Sequence, residues 1–287
     1  MSDGFIVLWK PPGPTSHDVV QQVRRRLGER CGHLGTLDPL ASGVLAVAVG
    51  RGRRLIQYLV GLEKLYWSEI WFGLASATGD LAGDLTSQAS AAELGPAQLS
   101  EALSGLIGTR SQRVPLASAV KVDGRRLYRR MRAGEQLVAP ERPVTVHQGR
   151  LLGFMPGPLG RAAVLWEVSS GTYIRSLAEE LGEACAKPAI LASLVRLKVG
   201  PFTEAQAVSL PEVGPDCVLP LAYPFSHWPQ WTVDRPTAQR IQQGQQVAVD
   251  ETLSPGLSLA VLEDSGKLWA VGRREQDRWR PLTVVGE

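Results

Sequence analysis

Asp38 lies in the glycine-rich segment GHLGTLDPLASG, and no other carboxylate of this chain has such unusual surroundings. Small residues flank it, Pro39 stiffens the next position, and the apolar run VLAVAVG follows almost at once. A carboxylate held beside a buried strand can act as a nucleophile or a base, depending on what its neighbours do to its pKa. An Asp-Pro turn is the ordinary explanation of such a tripeptide, because Asp starts turns for local reasons. The motif alone leaves both explanations open.

Arginines are clustered in three places, although the net charge is only +3. In the last cluster, residues 125 and 129 and residues 126 and 130 are four apart, which on a helix would stack them as a band of guanidinium groups. One such cluster is typical of a solvated surface, whereas three favour binding to nucleic-acid phosphates. The clusters are Arg24 to Arg26; Arg51, Arg53 and Arg54; and Arg125, Arg126, Arg129, Arg130 and Arg132.

Composition excludes several classes of protein. A chain of 287 residues predicts one main domain with a small second one. It has no apolar run of membrane-spanning length, and MSDGFIVLWKPPG lacks the layout of a signal peptide, so we expect a soluble, cytoplasmic protein. Cys31, Cys185 and Cys217 lack the spacing of zinc ligands or of a disulfide framework. We therefore expect no metal.

The elements that must position Asp38 follow from the apolar periodicity. Residues 4–9 and 44–50 predict buried strands, and between them Ser16 is the expected N-cap of a helix that ends at Gly28. Further strands are expected at 66–74 and 162–168, and further helices on the stripes Leu99, Leu103, Leu106 and Ile174, Leu177, Leu181. Strands and helices do not alternate regularly, which favours the α+β class.

The C-terminal part has a different composition. Residues 211–236 are rich in proline and carry Trp228 and Trp231, which indicates a linker or a domain seam. Residues 257–285 alternate as two or three strands around an Asp264-Ser265-Gly266 turn. We therefore predict a domain over 1–226 and a small β-rich domain over 227–287.

The full string GHLGTLDPLASGVL closely resembles the signature of the bacterial TruB family of tRNA pseudouridine synthases. The resemblance implies a pseudouridine synthase-type fold, in which helices and loops flank a mixed, largely antiparallel sheet and a small PUA-like domain ends the chain. It extends over most of the sequence, through the blocks GFIVLWKPPGPTSHDVV, KLYW, TGDLAG, VPLASAVKVDGRRLY, GTYIRSLAEELG and LVRLKVGPF.

The resemblance also implies roles for individual residues. Asp38 falls on the family's catalytic aspartate, and Arg175 on the arginine that pairs with it. Tyr66 matches the tyrosine that stacks on the flipped base and takes part in proton transfer. Tyr173 and Leu194 match walls of the uracil pocket.

Four further positions are carried over in the same way. His33 matches the histidine that packs into the T-loop where the target base leaves its stack. Lys64, Asp80 and Arg196 match recurrent family positions, to which we assign supporting roles, Lys64 in substrate binding. Ala117 departs from the family pattern, because an aromatic residue usually stands there.

The implied reaction converts uridine 55 in the T-arm (TΨC) loop of tRNA into pseudouridine. A base in a folded loop must be flipped out before an enzyme can reach it, and flipped bases are read by stacking and by polar contacts to their edges. The isomerisation needs a carboxylate and a confined pocket but no cofactor, and we expect tRNA as the partner of a monomeric enzyme. Attack of Asp38 on C1′, attack on C6 and abstraction of the 2′ proton all remain open.

Two other interpretations compete with this one. A guide-dependent or rRNA-directed pseudouridine synthase would share the catalytic core. An RNA-binding or tRNA-folding module would use the arginines alone, but the joint presence of Asp38, Tyr66 and Arg175 speaks against it. An enzyme that opens the tRNA elbow to flip a base could also help misfolded tRNA to rearrange, so a chaperone role is compatible with catalysis.

Overall fold

The computed structural model describes residues 3–118, 120–135, 137–249, 252–262 and 265–286. The described residues form a large sheet, a five-stranded sheet, two small hairpin sheets and five α-helices. None of the helices in these ranges has the length and apolar character needed to cross a membrane.

The helices and strands are numbered in chain order. The helices are α1 (Ser16–Leu27), α2 (Pro96–Gly105), α3 (Leu127–Arg132), α4 (Ile174–Ala184) and α5 (Arg235–Gln242). The strands are β1 (Gly4–Lys10), β2 (Cys31–His33), β3 (Ser42–Val49), β4 (Lys64–Phe72), β5 (Leu74–Ser76), β6 (Leu85–Gln88), β7 (Gly108–Arg113), β8 (Lys121–Val122), β9 (Arg125–Arg126), β10 (Glu141–Met155), β11 (Gly160–Val168), β12 (Ala189–Val199), β13 (Phe202–Thr203), β14 (Gln230–Val233), β15 (Val247–Ala248), β16 (Gly256–Leu262), β17 (Leu268–Glu275) and β18 (Arg278–Val284).

The large sheet has the order β1-β3-β12-β4-β11-β10-β7, with β2 added to β3 and β13 to β12. Its strands pair antiparallel except β3 and β12, which run parallel where Val195 faces Ser42. The mixed, largely antiparallel core and the α+β class are therefore confirmed.

Strand β3 is buried on both faces, which explains its unbroken apolar run. Leu45 and Val47 belong to the core beneath the helices, together with apolar residues of α1, α2 and α4. Val44 and Ala46 point the other way, into a second core that also contains Leu259 of β16. A strand enclosed on both faces needs apolar residues at successive positions, so the prediction of a buried strand is confirmed.

The N-terminus of α1 differs from the expectation. Thr15, not Ser16, is the N-cap: its hydroxyl accepts from the Asp18 N–H, and the Asp18 carboxylate accepts from the Thr15 N–H. This reciprocal pair is a capping box. Gly28 ends the helix with a left-handed φ of 68°, as expected.

The predicted helical band of arginines is wrong. Arg125 and Arg126 form the short strand β9, and α3 begins only at Leu127, so residues 125 and 129 do not stack on one helix. Arg125 and Arg130 instead both form ion pairs with Glu135, at 2.8 Å and 2.7 Å. The carboxylate that follows the cluster therefore neutralises part of its charge.

The C-terminal part is β-rich, as predicted. Strands β16, β17 and β18 fall in the segment where two or three strands were expected, and β14 and β15 complete a five-stranded sheet of order β14-β16-β17-β18-β15. Helix α5, which was not predicted from the sequence, packs against this sheet through Ala238 and Ile241. Asp264 of the expected turn lies outside the described residues.

Candidate active site

Asp38 lies in the loop between β2 and β3, and backbone hydrogen bonds hold that loop tightly. The first part of GHLGTLDPLASG is regular, because Cys31–His33 pairs with β3, whereas the part that carries Asp38 is the expected loop. Ser16 at the start of α1 makes two hydrogen bonds to Leu37, the residue before Asp38. Its hydroxyl donates to the Leu37 carbonyl at 3.0 Å and accepts from the Leu37 N–H at 2.8 Å. Helix α1 thus fixes the residue before the carboxylate.

Lys10, at the end of β1, supports the other side of the loop. Its side chain is completely buried, and Nζ donates to the carbonyls of Ala41 at 2.6 Å, Pro11 at 2.9 Å and Pro39 at 3.3 Å. Burial lowers the Lys10 pKa to about 8, while the nearby Asp38 carboxylate raises it and the Arg196 cation lowers it further. The buried amino group therefore connects the end of β1 to the loop backbone at Pro39 and Ala41.

Arg196 on β12 holds the start of the same loop. Its guanidinium is buried and donates to three carbonyls, those of Val44 at 2.8 Å, Gly35 at 3.0 Å and Thr36 at 3.2 Å. A planar guanidinium can satisfy several carbonyls at fixed angles, which a lysine cannot do. Arg196 therefore connects β12 to the start of the Asp38 loop and to β3.

Arg175, near the start of α4, pairs with Asp38. Its Nε lies 3.0 Å from Asp38 Oδ2 and 3.7 Å from Asp80 Oδ2. The two Nη atoms donate to the carbonyls of Thr78 at 2.9 Å and Ala117 at 3.1 Å. The guanidinium is therefore held on all sides, and Asp38 is one of its partners.

The two carboxylates beside Arg175 differ in exposure. The Asp80 side chain is 7% exposed, and its Oδ1 accepts from Thr78 Oγ1 at 2.5 Å and from the Ala82 N–H at 3.0 Å. The Asp38 side chain is 32% exposed. Only Asp38 combines contact with Arg175 and access for a substrate, whereas Asp80 is a buried structural partner.

Tyr66 and Leu194 line the sheet beneath this loop. Tyr66 on β4 faces Arg196 in the pairing with β12, and Leu194 faces Ser68 two residues further along β4. Both side chains are buried and belong to the same apolar core as Leu37. The structure therefore brings these two predicted pocket residues to the core below the Asp38 loop.

Tyr173 and His33 are only partly buried. Tyr173 is the residue before α4, two positions before Arg175, and the Arg142 guanidinium lies 4.6 Å from the centre of its ring. Burial lowers the His33 pKa below its ordinary value, and the charges of Arg196 and His17 lower it further, which favours the neutral imidazole. Its buried Nδ1 has no hydrogen-bond partner among the described residues.

The head group of Lys64 is turned towards backbone carbonyls at the start of β4. Nζ donates to the Leu62 carbonyl at 2.5 Å and to the Val60 carbonyl at 3.4 Å. Burial lowers its pKa to about 8, and the Arg196 cation lowers it further. Lys64 shares the inward face of β4 with Tyr66, and its contacts in this structure are with the protein itself.

A known protein-family model matches about half of the chain. Residues 24–174, which include Asp38, Tyr66, Tyr173 and the whole TGDLAG block, match the model of the TruB family pseudouridylate synthase N-terminal domain. The chain belongs to the TruB family.

Two similar proteins that match this chain over most of its length are both named tRNA pseudouridine synthase B. The tRNA pseudouridine synthase B of Symbiobacterium thermophilum is 44% identical over 250 residues, which are 86% of this chain and 84% of that protein. The tRNA pseudouridine synthase B of Parasynechococcus marenigrum is 39% identical over 285 residues, which are 98% of this chain and 97% of that protein.

Solved structures support the TruB-type fold. The chain superposes on one from a crystal structure of a Cbf5-Nop10-Gar1 complex with a TM-score of 0.73 at 25% identity, covering 100% of this chain and 84% of the other. It also resembles a chain of an H/ACA RNP bound to a substrate RNA containing 2′-deoxyuridine, with a TM-score of 0.72, 22% identity and coverage of 99% and 84%. The pseudouridine synthase-type core and PUA-like C-terminal part are thus confirmed.

Three residues that support the candidate site were not assigned to it from the sequence. Lys10 left a weak signal, because it shares the inward face of β1 with Ile6 and Leu8, where a lysine is unexpected. Ser16 was read as a cap rather than as a support of the loop. Gln112 on β7, whose side-chain amide is hydrogen-bonded to the Tyr173 backbone, left no signal, since it lies in the uniformly polar stretch GTRSQR.

Proposed function

We propose that this TruB-family enzyme converts uridine 55 in the T-arm loop of tRNA into pseudouridine, with Asp38 as the catalytic carboxylate. Its similar proteins are named tRNA pseudouridine synthase B, which supports tRNA as the substrate. A tRNA substrate places the enzyme in the cytoplasm, and we expect it to act as a monomer.

The Asp38–Arg175 contact carries the proposal. An arginine that is 4% exposed stands 3.0 Å from a carboxylate that keeps 32% of its side-chain surface accessible. A charge-assisted hydrogen bond from a guanidinium fixes the orientation of a carboxylate. Asp38 is thereby an oriented carboxylate that keeps an accessible surface for a flipped nucleotide.

The reaction needs little more than this anion and a closed pocket. The C1′–N1 bond breaks, the uracil turns, and a C5–C1′ bond forms; the proton on C5 leaves, and N1 is protonated. Asp38 can start the sequence by attacking C1′, by attacking C6 or by removing the 2′ proton. In each route the detached uracil must stay in place while it rotates.

We assign the confinement of the base to the residues around the Asp38 loop. Tyr66 stacks on the flipped uracil and takes part in the transfer of the C5 proton, while Tyr173 and Leu194 form walls, since aromatic and apolar side chains are the types that hold flipped bases. His33 enters the T-loop with a ring nitrogen, Nδ1, that has no partner among the described residues, and its lowered pKa favours the neutral ring. We assign Lys64, which shares the inward face of β4 with Tyr66, to substrate binding.

We also propose that the chain is divided into two domains with different functions. Residues 1–226 carry every residue assigned above, and we propose that they form the catalytic domain. Residues 227–287 contain the five-stranded sheet, and we propose that they act as a PUA-like RNA-binding domain.

Mapping of pseudouridine in an unmodified tRNA transcript tests the substrate assignment. After incubation with the enzyme, carbodiimide modification followed by primer extension should give a single stop one nucleotide to the 3′ side of position 55. A transcript with cytidine at that position should give none. A stop at another uridine would overturn the site assignment, and a requirement for an added guide RNA would favour the guide-dependent alternative.

A further inference from the structure

Gln112 is the one buried residue of an otherwise exposed or half-exposed strand. Strand β7 has the polar sequence GTRSQR and forms the edge of the large sheet next to β10. Gln112 has no exposed surface at all. Buried amides are retained where they are hydrogen-bonded, so its partners indicate what it does.

Both partners of Gln112 belong to one residue, Tyr173. Oε1 accepts from the Tyr173 N–H at 2.8 Å, and Nε2 donates to the Tyr173 carbonyl at 3.1 Å. The side-chain amide thus pairs with one backbone residue as a neighbouring strand would. This double contact fixes both the position and the rotation of the Tyr173 backbone.

The cross-strand neighbour of Gln112 contacts the same residue from the side chain. Arg142 faces Gln112 in the β7–β10 register. Its guanidinium lies 4.6 Å from the centre of the Tyr173 ring and also donates to the Gly171 carbonyl. Gln112 therefore holds the backbone of Tyr173 while Arg142 covers the ring.

We propose that Gln112 is a positioning residue for pseudouridine formation, which acts by holding Tyr173 against the flipped uracil. This inference rests on the proposed function, because it requires Tyr173 to be a wall of the uracil pocket. Small errors in the placement of a reacting group lower the rate of the chemical step more than they lower binding. A loosened Tyr173 should therefore slow the isomerisation of bound RNA.

The first variant, Gln112→Met, keeps the volume and removes both hydrogen bonds. We expect its single-turnover rate of pseudouridine formation to fall by about 10-fold to 100-fold. The Kd for a transcript that already contains pseudouridine at position 55 should change by less than about threefold, because Gln112 has no exposed surface with which to contact RNA.

Leu99→Ala is the control for lost stability. Leu99 is also fully buried, and it lies on α2, to which no role in the site or in RNA binding is assigned. It should lower the melting temperature without changing the single-turnover rate. A rate loss shared by both variants would overturn the specific role of Gln112.

A double-mutant cycle shows whether Gln112 acts through Tyr173. Tyr173→Ala should itself be slow, and adding Gln112→Met should slow it by no more than about threefold further. A full, additive loss in the Tyr173→Ala background would overturn the inference. A normal rate for Tyr173→Ala would remove the proposed role of Tyr173 and the inference with it, whereas the absence of any wild-type product would refute the proposed function itself.

Gln112→Glu decides the question if Gln112→Met does not fold. At neutral pH a glutamate keeps the acceptor for the Tyr173 N–H but loses the donor to its carbonyl. Its single-turnover rate at neutral pH should therefore be lower than that of wild type, and an unchanged rate would contradict the assignment.

Discussion

Arg175 and Asp38 meet at 3.0 Å, and the arginine is almost entirely enclosed while the carboxylate remains accessible. The enclosed partner makes three further contacts, with Asp80 and with the carbonyls of Thr78 and Ala117, so its position does not depend on Asp38. Asp38 is therefore oriented by a group that is already fixed. Such preorganisation avoids rearrangement during the reaction.

Arg175→Lys should lower the single-turnover rate by about 100-fold, because an ammonium group cannot satisfy the two carbonyls and orient Asp38 at once. The Kd for product tRNA should change little. Arg161→Lys is the matched control, since Arg161 lies on the exposed face of the sheet, 4.8 Å from the centre of the Trp71 ring. Equal rates for the two variants would contradict the role of Arg175.

Gly43→Ala should strongly destabilise the protein. Gly43 has a φ of +105°, and an added Cβ would lie 2.2 Å from the Arg196 carbonyl oxygen. We expect the free energy of unfolding to fall by about 3 kcal/mol, because backbone strain and a steric clash combine where β3 and β12 pair. Gly153→Ala, which would meet nothing within 4 Å, is the control in urea unfolding. A loss no larger than that of the control would refute the close approach.

Lys10 should make stability depend on pH in the alkaline range. Its pKa is about 8 in the folded protein and has the ordinary value of 10.5 in the unfolded chain. Between these values the unfolded chain binds more protons, so folding becomes more favourable as the pH rises. The free energy of unfolding of wild type minus that of Lys10→Met should therefore increase from about pH 8 to about pH 10.

Lys64 has a similarly lowered pKa but is present in both of these proteins, so the difference isolates Lys10. Urea unfolding at several pH values provides the measurement. A difference that stays constant or decreases over the interval would show that the Lys10 ammonium is not disfavoured in the folded state.

The arginines of the 125–130 segment should differ in their contribution to RNA binding. Arg125 and Arg130 are paired with Glu135, whereas Arg126 and Arg129 are exposed and have no carboxylate partner among the described residues. Replacing both Arg126 and Arg129 by Gln should reduce the slope of log K against log salt by about 1.4 to 1.8, as expected for two lost phosphate contacts. Replacing Arg125 and Arg130 should reduce it less, and the reverse order would contradict this assignment.

The elements that the sequence predicted best are those whose signal is local. The apolar run of β3 and the stripes of α2 and α4 reflect burial, which needs apolar residues at defined spacings. The Arg125 to Arg130 pattern had helical spacing, but a local turn placed Asp123 and Gly124, both with positive φ, between two short strands and delayed the helix. Spacing alone does not show where a helix begins.

Contacts within the candidate site were predictable only where the family resemblance supplied them. The Asp38–Arg175 pair joins residues far apart in sequence, and no local pattern relates them. Gln112 and Lys10 remained hidden for a similar reason, because their partners are backbone atoms, which every residue has. A side chain that binds backbone leaves no matching residue type elsewhere in the chain.

Release of tritium from C5-labelled uridine is the most direct test of Asp38 as the catalytic carboxylate. An unmodified tRNA transcript would be incubated in excess enzyme, with wild type, Asp38→Asn and Asp80→Asn compared, and RNA binding measured in parallel. We expect rapid release by wild type and none by Asp38→Asn, which should still bind the transcript. Asp80→Asn should keep measurable release, because the Asp80 side chain is only 7% exposed. Release by Asp38→Asn at the wild-type rate would contradict the catalytic role of Asp38.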